Sequence, residues 1–368
     1  MKIAVIPGDG IGGEVVPAVL PALELLSDHF GLDLSYRVFD WGAERWLAER
    51  VGLPADALDL LASDYPAILL GALGDPRIPD MAHGRDILLG LRRGLDLYVN
   101  YRPFTPRGSD RAIALFRENT QGLYAGVGGT VSHGRLPAVA IDECVYTRET
   151  VEKFLRYCLR TLSESGRERV TLVHKSNAVP HTGRLWQGVF RAELAGFPAL
   201  VGSEEYVDSF CYHLVRDPSP YEGIVASNLF GDIVSDIGAA LMGGLGLAAS
   251  ASVCPETGCA LFEPVHGSAP DIAGRGIANP YAAATAVALM LDHLGHPRAA
   301  APLRRALAAA ARTDSATPDL GGHGTTGTFM ADVMTRLEKA LADDGTEPRA
   351  IHRCESSAMP APGRTATS

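Results

Sequence analysis

Residues 227–238 read SNLFGDIVSDIG, and residues 262–280 read FEPVHGSAPDIAGRGIANP. The first stretch follows residues 222–226, EGIVA, which lead into a helix predicted from about Gly231. Asp232 and Asp236 are four apart, so both carboxylates share one helix face. Two anions so placed repel unless a cation or basic group lies between them. Oxygen-only ligands favour a hard ion such as Mg2+ or Mn2+. A pair of solvated helix acids is the alternative, but Leu229, Phe230, Ile233 and Ile237 around them argue against simple exposure. The second stretch, with its glycines, small residues and His266, makes a loop that can approach a flat ligand closely. Asp271 would hydrogen-bond a ribose diol and repel a ribose phosphate, which favours NAD over NADP. An ordinary irregular loop is the competing reading.

Outward from these stretches, strands and helices alternate. Residues 2–6, 32–39 and 66–70 predict strands, and 11–26 a helix with apolar positions at helical spacing. Further strands are expected at 95–101, 112–117 and 169–174, and a helix at 149–165. The pattern indicates an α/β protein with a mainly parallel sheet. Residues 243–250, GGLGLAAS, suggest a crossover between lobes, and Ala-rich helices are expected at 280–294 and 299–312. From about 341 the chain is polar and aperiodic and reads as a disordered tail.

At 368 residues the chain suits two lobes, and its 46% apolar content supplies a large core without disulfide staples. The net charge of -10 speaks against nucleic acid and anionic membranes as partners. The apolar run 281–291 is too short to span a bilayer. Six scattered cysteines without a CxxC pair read as reduced thiols of a cytoplasmic protein. The start of the chain reads as a first strand rather than a leader peptide.

Other residues carry possible chemistry. Gly8-Asp9-Gly10-Ile11-Gly12-Gly13 fits the dinucleotide fingerprint G-x-G-x-x-G between a strand and a helix, with Asp33 and Asp40 as ribose-binding candidates; a plain tight turn is equally open. Arg92, Arg102 and Arg117 stand at strand edges, where guanidinium forks grip carboxylates; each alone could be a surface ion pair. Tyr124 and Lys175 are acid–base candidates. A lysine near a metal and arginines has its pKa depressed, though a strand-end lysine in solvent is the simpler reading.

Taken together these motifs resemble the β-decarboxylating dehydrogenases, the group acting on 3-isopropylmalate, isocitrate, homoisocitrate and tartrate or D-malate. The resemblance runs from Lys2 to about Leu337. It implies an isopropylmalate-dehydrogenase-like two-lobed α/β fold, not a Rossmann fold, with mixed central sheets flanked by helices. It implies a cofactor lobe of 1–97 plus 243–340, a substrate and dimerisation lobe of 98–242, and a tail of 341–368. By resemblance Arg92, Arg102 and Arg117 clamp substrate carboxylates, Tyr124 protonates the enolate, and Lys175 takes the hydroxyl proton in the neighbouring subunit's site. Asp232 and Asp236 would be metal ligands, joined by Asp208 from the partner. His266, Gly267, Ser268, Ala269, Asp271, Ile272 and Asn279 fall on the adenosine-binding loop. A shared site implies a homodimer using NAD and Mg2+ or Mn2+ on a small polycarboxylate.

The resemblance leaves the substrate open. Gly74-Asp75-Pro76-Arg77 and Tyr98-Val99-Asn100 look most like tartrate/D-malate dehydrogenases. Leu88 and Leu89 would suit an apolar substituent, whereas Arg85 or His83 would suit an extra anion such as a γ-carboxylate or phosphonate; a solvent-facing Arg85 is the alternative. Gln121 stands where many relatives have Glu, and 105–111 is short; both would reshape the pocket. A non-catalytic regulatory subunit is disfavoured, because every matched position is filled.

Overall fold

The computed structural model describes residues 1–133 and 136–343. The chain runs β1 (Lys2–Gly8), α1 (Gly12–Phe30), β2 (Ser35–Val38), α2 (Ala43–Glu49), α3 (Ala57–Asp64), β3 (Ala67–Ala72), α4 (Ala82–Gly94), β4 (Val99–Tyr101) and β5 (Ala114–Glu118). It continues through β6 (Gly122–His133), β7 (Leu136–Val145), α5 (Arg148–Glu164), β8 (Arg169–His174), α6 (Pro180–Leu194), β9 (Val201–Tyr206), α7 (Val207–Arg216), β10 (Gly223–Ala226) and α8 (Asn228–Met242). It closes with β11 (Ala249–Val253), β12 (Ala260–Pro264), α9 (Tyr281–His293), α10 (Pro297–Ala310) and α11 (Thr326–Asp343).

Ten strands form one sheet in the order β2-β1-β3-β12-β11-β4-β5-β10-β8-β9. Both ends are parallel, whereas β12–β11, β11–β4 and β4–β5 pair antiparallel. The sheet is therefore mixed, in line with the fold the motifs imply, and less parallel than the element pattern alone suggested. One of these pairs follows from the short turn between β11 and β12, which Cys254 and Cys259 close with a backbone hydrogen bond of 3.0 Å.

Side chains alternate across the sheet and feed a separate core on each face. Ile3 and Val5 join the cluster with α1, α9, α10 and α11, while Ala4 and Ile6 join the one beneath α3 and α4. In the other half Ala114 and Phe116 meet α5 and α6, while Leu115 meets α7 and α8.

The fingerprint-like glycines serve close backbone packing. Gly8 and Gly10 have φ of 72° and 54°. A Cβ on Gly8 would lie 2.1 Å from the Ala72 carbonyl oxygen, and one on Gly10 2.1 Å from that of Ser268. The loop thus seats against the 266–280 segment, with Ile11 N–H donating to Ser268 O at 2.9 Å.

Some elements depart from the sequence reading. The helix after β10 begins at Asn228, and β2 is shorter than 32–39. The antiparallel hairpin β6–β7 forms a sheet of its own. Residues 341–343 end α11, so the expected tail does not start at 341; from 344 onward it lies outside the described residues. Among the described residues no helix is long and apolar enough to cross a membrane, and the five described cysteines are unbridged.

Candidate functional site

The middle of the sheet gathers the arginines. Antiparallel pairing of β4 with β5 sets Asn100 opposite Arg117, and α8 crosses above them. Gly231 permits that crossing, since a Cβ there would lie 2.6 Å from Arg117 Cβ. Arg117 is 1% exposed. Its Nε and Nη2 donate to Asn228 Oδ1 at 3.0 and 2.7 Å, and its Nη1 donates to Asp232 Oδ1. Arg102 donates from Nε to Asn100 Oδ1 (2.6 Å) and from Nη1 to Ser235 Oγ (2.7 Å) and Asp232 Oδ1 (3.3 Å). Arg92, in the last turn of α4, donates from Nη2 to Glu263 Oε1 at 2.9 Å; its buried Nε has no partner among the described residues. Tyr124 on β6 donates to Asp232 Oδ2 at 2.8 Å.

The charges strain one another. Burial and then the Arg102 charge push Arg117 down to about 10. Burial acts to raise Asp232, but Arg117 and Arg102 outweigh it and hold its carboxyl below the usual range. Asp236, one turn further along α8, is raised by burial and then by the Asp232 charge. Tyr124 is raised by burial and then by its bond to Asp232, which keeps its proton in place.

All of these groups except Asp236 line one cavity of about 300 Å³. Arg92, Arg102, Arg117, Tyr124 and Asp232 form its polar side. Leu70, Leu73, Leu88 and Val265 form an apolar wall, and His266 and Gly267 lie at one end. The expected clamp, Tyr124 and the first acid are therefore brought together.

Other expected residues stand elsewhere. Lys175 Nζ pairs with Asp208 Oδ1 at 2.5 Å beyond the β8 end, beside a second cavity of about 250 Å³ that Lys175 borders with Trp186, Leu229 and Phe230. The Lys175 bond is the chief cause that lowers the Asp208 carboxyl. Among the described residues no three His, Cys, Asp or Glu side chains converge as one metal site. Asp232 and Asp236 are two neighbouring carboxylates with only oxygen donors, the chemistry that a hard divalent cation would need on one flank.

The expectation that apolar neighbours shield both acids is corrected. Asp236 is exposed and Ile233 is 47% exposed. Of the apolar residues of α8, Val234 is buried and Phe230 and Ile237 pack against the core beneath the helix, so Ile233 is the large exposed one. Val127, Val131, Val139 and Ile141 on the β6–β7 hairpin and Tyr212 and Val215 on α7 are exposed as well.

The loop after β12 is held from several sides. His266 Nδ1 is 3.0 Å from Gly267 O, its Nε2 is buried without a partner among the described residues, and burial lowers its pKa. Ala269, in the left-handed region at φ 41°, and Ile272 rest on the core, while Ser268 is buried. Asn279 is occupied within the chain, donating to Asp319 Oδ2 and accepting from Tyr281 N–H, both at 2.9 Å. Asp271 is exposed.

Three pocket-shaping readings change. Arg85 is exposed on α4 and does not line the cavity. His83 is fully buried against Asp9, so it cannot meet a substrate anion in the cavity. Gln121 points away from the cavity and binds Thr147 and Thr150 at the start of α5. Asn100, Asn228, Ser235 and Glu263 orient the arginines and were not foreseen; a buried arginine's need for acceptors was the available signal.

The family model described as Isocitrate/isopropylmalate dehydrogenase matches residues 2–334. The chain is 42% identical over 320 residues to a 3-isopropylmalate dehydrogenase of Thermobifida fusca, covering 84% of this chain and 90% of that protein. It is 36% identical over 350 residues to a probable tartrate dehydrogenase/decarboxylase of Bacillus subtilis, covering 92% and 98%. Among solved structures it is similar to isocitrate dehydrogenase from Methylococcus capsulatus, with a TM-score of 0.83, 34% identity, and coverage of 91% and 99%.

Proposed function

The chain belongs to the isocitrate/isopropylmalate dehydrogenase family and is a decarboxylating dehydrogenase, and from that premise we propose that it oxidises and decarboxylates a 2-hydroxy acid bearing a 3-carboxylate and an apolar substituent, with NAD and Mg2+ or Mn2+. The observation that carries this reading is the cavity itself. Three buried arginines, Tyr124 and Asp232 face an apolar wall built by Leu70, Leu73, Leu88 and Val265. Arg92, Arg102 and Arg117 would grip the two carboxylates, and Leu88 would receive the apolar group. Asp232 and Asp236 would hold the divalent cation from one chain, and Asp208 from a second copy.

The cation would supply a Lewis acid and the nicotinamide an oxidant. The rest falls to side chains. Lys175 of the second copy takes the C2 hydroxyl proton. Tyr124, which burial and Asp232 keep protonated, delivers a proton to carbon after carbon dioxide leaves. A homodimer with shared sites is supported by Lys175 and Asp208, which pair with each other and do not line the arginine cavity, and by the exposed apolar residues Tyr212 and Val215 on α7, Ile233 on α8, and Val131 and Ile141 on the hairpin. We assign 1–97 with 243–340 to the cofactor side and 98–242 to the substrate side. The sheet order supports that division, since β1, β2, β3, β11 and β12 lie together and β4, β5, β8, β9 and β10 lie together. We place the enzyme in the cytoplasm.

Activity on tartrate or D-malate is the second reading, favoured by the Bacillus subtilis relative, which matches 92% of this chain. The test is NADH formation with Mg2+ or Mn2+ on 3-isopropylmalate, isocitrate, homoisocitrate, D-malate, tartrate and a phosphonate analogue, with and without chelator. Turnover of 3-isopropylmalate that the chelator abolishes supports the proposal. A preference for D-malate or tartrate selects the second reading, and a preference for a substrate with an additional anion overturns the apolar wall as the specificity element.

A further inference from the structure

The start of α4 sits in an unusual seat. Asp80 and Met81 precede it with φ of 58° and 54°, two successive non-glycine residues in the left-handed region. Such backbone persists only where its surroundings over-determine it. The α4 N-cap, Met81, supplies no side-chain hydrogen bond. In the first turn of α4, His83 is fully buried, with Nε2 2.8 Å from Asp9 Oδ2. Its Nδ1 has no partner among the described residues, so the Asp9 contact is the ring's one hydrogen bond there.

Asp9 is itself a junction. Its Oδ1 accepts from Ala43 N–H at 2.6 Å, and its Oδ2 accepts from Gly74 N–H at 2.8 Å. It lies between Gly8 and Gly10, whose backbones abut Ala72 and Ser268. One carboxylate therefore joins the glycine loop beside the 266–280 segment, the end of β3, the start of α2 and, through His83, the first turn of α4. Five and nine residues beyond His83, Leu88 and Arg92 line the cavity. Because α4 is a rigid rod, its first turn sets where both stand.

We propose that His83 is a positioning residue: its bond to Asp9 holds α4 in its strained seat and fixes the depth of Leu88 and Arg92 in the substrate cavity relative to the cofactor-side loop. The inference rests on reading that cavity as the substrate site. A carboxylate only accepts, so the ring donates through Nε2. A glutamine places an amide N–H near that point, whereas an asparagine reaches only to the level of Nδ1.

The test compares H83Q with H83N by two readouts. The first is steady-state kinetics on whichever hydroxy acid of the panel turns over. H83N is expected to raise KM for that acid about tenfold, the scale of one lost charge-assisted hydrogen bond, with kcat changed less than about threefold. H83Q stays close to the parent, and M81G in the H83N background recovers part of the loss because glycine relieves the left-handed strain. The second readout needs no activity: amide hydrogen exchange over 79–90 accelerates in H83N and not in H83Q. Unchanged KM and exchange in H83N, or equal loss in both variants, overturns the proposal and leaves His83 as core filling. If the parent turns over no acid of the panel, the functional reading fails, and the exchange ranking still decides the role of His83.

Discussion

Replacing Arg117 by lysine keeps the positive charge and removes the fork. The arginine makes two bonds to Asn228 Oδ1, at 3.0 and 2.7 Å, and one to Asp232, at a site where its side chain is 2% exposed. A lysine ammonium can satisfy one of these partners. If it follows Asp232, Asn228 Oδ1 loses both arginine donors in a buried setting, at about 1–3 kcal/mol of stability. If it follows Asn228 instead, the loss falls on Asp232, whose side chain is 35% exposed, and the lower half of that range applies. The substrate carboxylate loses a bidentate partner as well, worth about 1.5–3 kcal/mol, or roughly a 10–150-fold drop in kcat/KM. Steady-state kinetics on R117K, with a denaturant midpoint measured in parallel, separate the two effects. A variant within twofold of the parent in kcat/KM would refute the assignment of Arg117 to the clamp, whatever its stability.

Further predictions concern packing, pH and cofactor choice. Gly231→Ala forces α8 off β5, since the added Cβ meets Arg117 Cβ at 2.6 Å and Cα at 3.2 Å; overpacking should cost about 1–3 kcal/mol in chemical denaturation, whereas helix propensity alone would make the variant more stable. Burial acts to raise buried Glu222, but hydrogen bonds from Glu168 N–H and Arg169, together with the Arg111 charge, hold its carboxyl low. That stabilisation is complete above the unfolded glutamate value of about 4.3 and disappears as pH falls through the lower native value. The stability gap between parent and E222Q should therefore shrink from pH 7 to pH 3, and an equal gap at both would contradict it. Exposed Asp271 predicts a strong NAD preference that D271S weakens; equal kcat/KM with NAD and NADP in the parent would show that the loop is misread.

How much was legible depends on whether a residue's role is local. The four-residue spacing of Asp232 and Asp236 placed both on α8 without any fold, and Arg102 and Arg117 converge because β4 and β5 bring Asn100 opposite Arg117, whereas Arg92, read as a strand-edge residue, reaches them from the last turn of α4. Roles that depend on distant partners were hidden. His83 reads as a candidate anion binder until its bond to Asp9, 74 residues away, is seen. Glu263 meets Arg92 across 171 residues. Gln121 sits near the site in sequence, yet its side chain caps the start of α5. The β6–β7 hairpin escaped notice because glycines interrupt its alternation, with a register shift between Gly122 and Val127. The apolar residues of α8 did predict a core for Val234, Phe230 and Ile237, but sequence alone did not distinguish them from Ile233, which is left open.

The central claim is that the site is completed by a second copy of the chain, and subunit complementation tests it most directly. K175A and D232N are each expected to be inactive on the substrate that the parent turns over. When the two are unfolded together and refolded as a mixture, half of the dimers should be mixed, and each mixed dimer should carry one site with both residues intact, so about a quarter of parental activity should return. A mixture as inactive as its two components, in dimers shown to have exchanged subunits, would mean that Lys175 and Asp232 act from the same chain, and the shared-site account would be wrong.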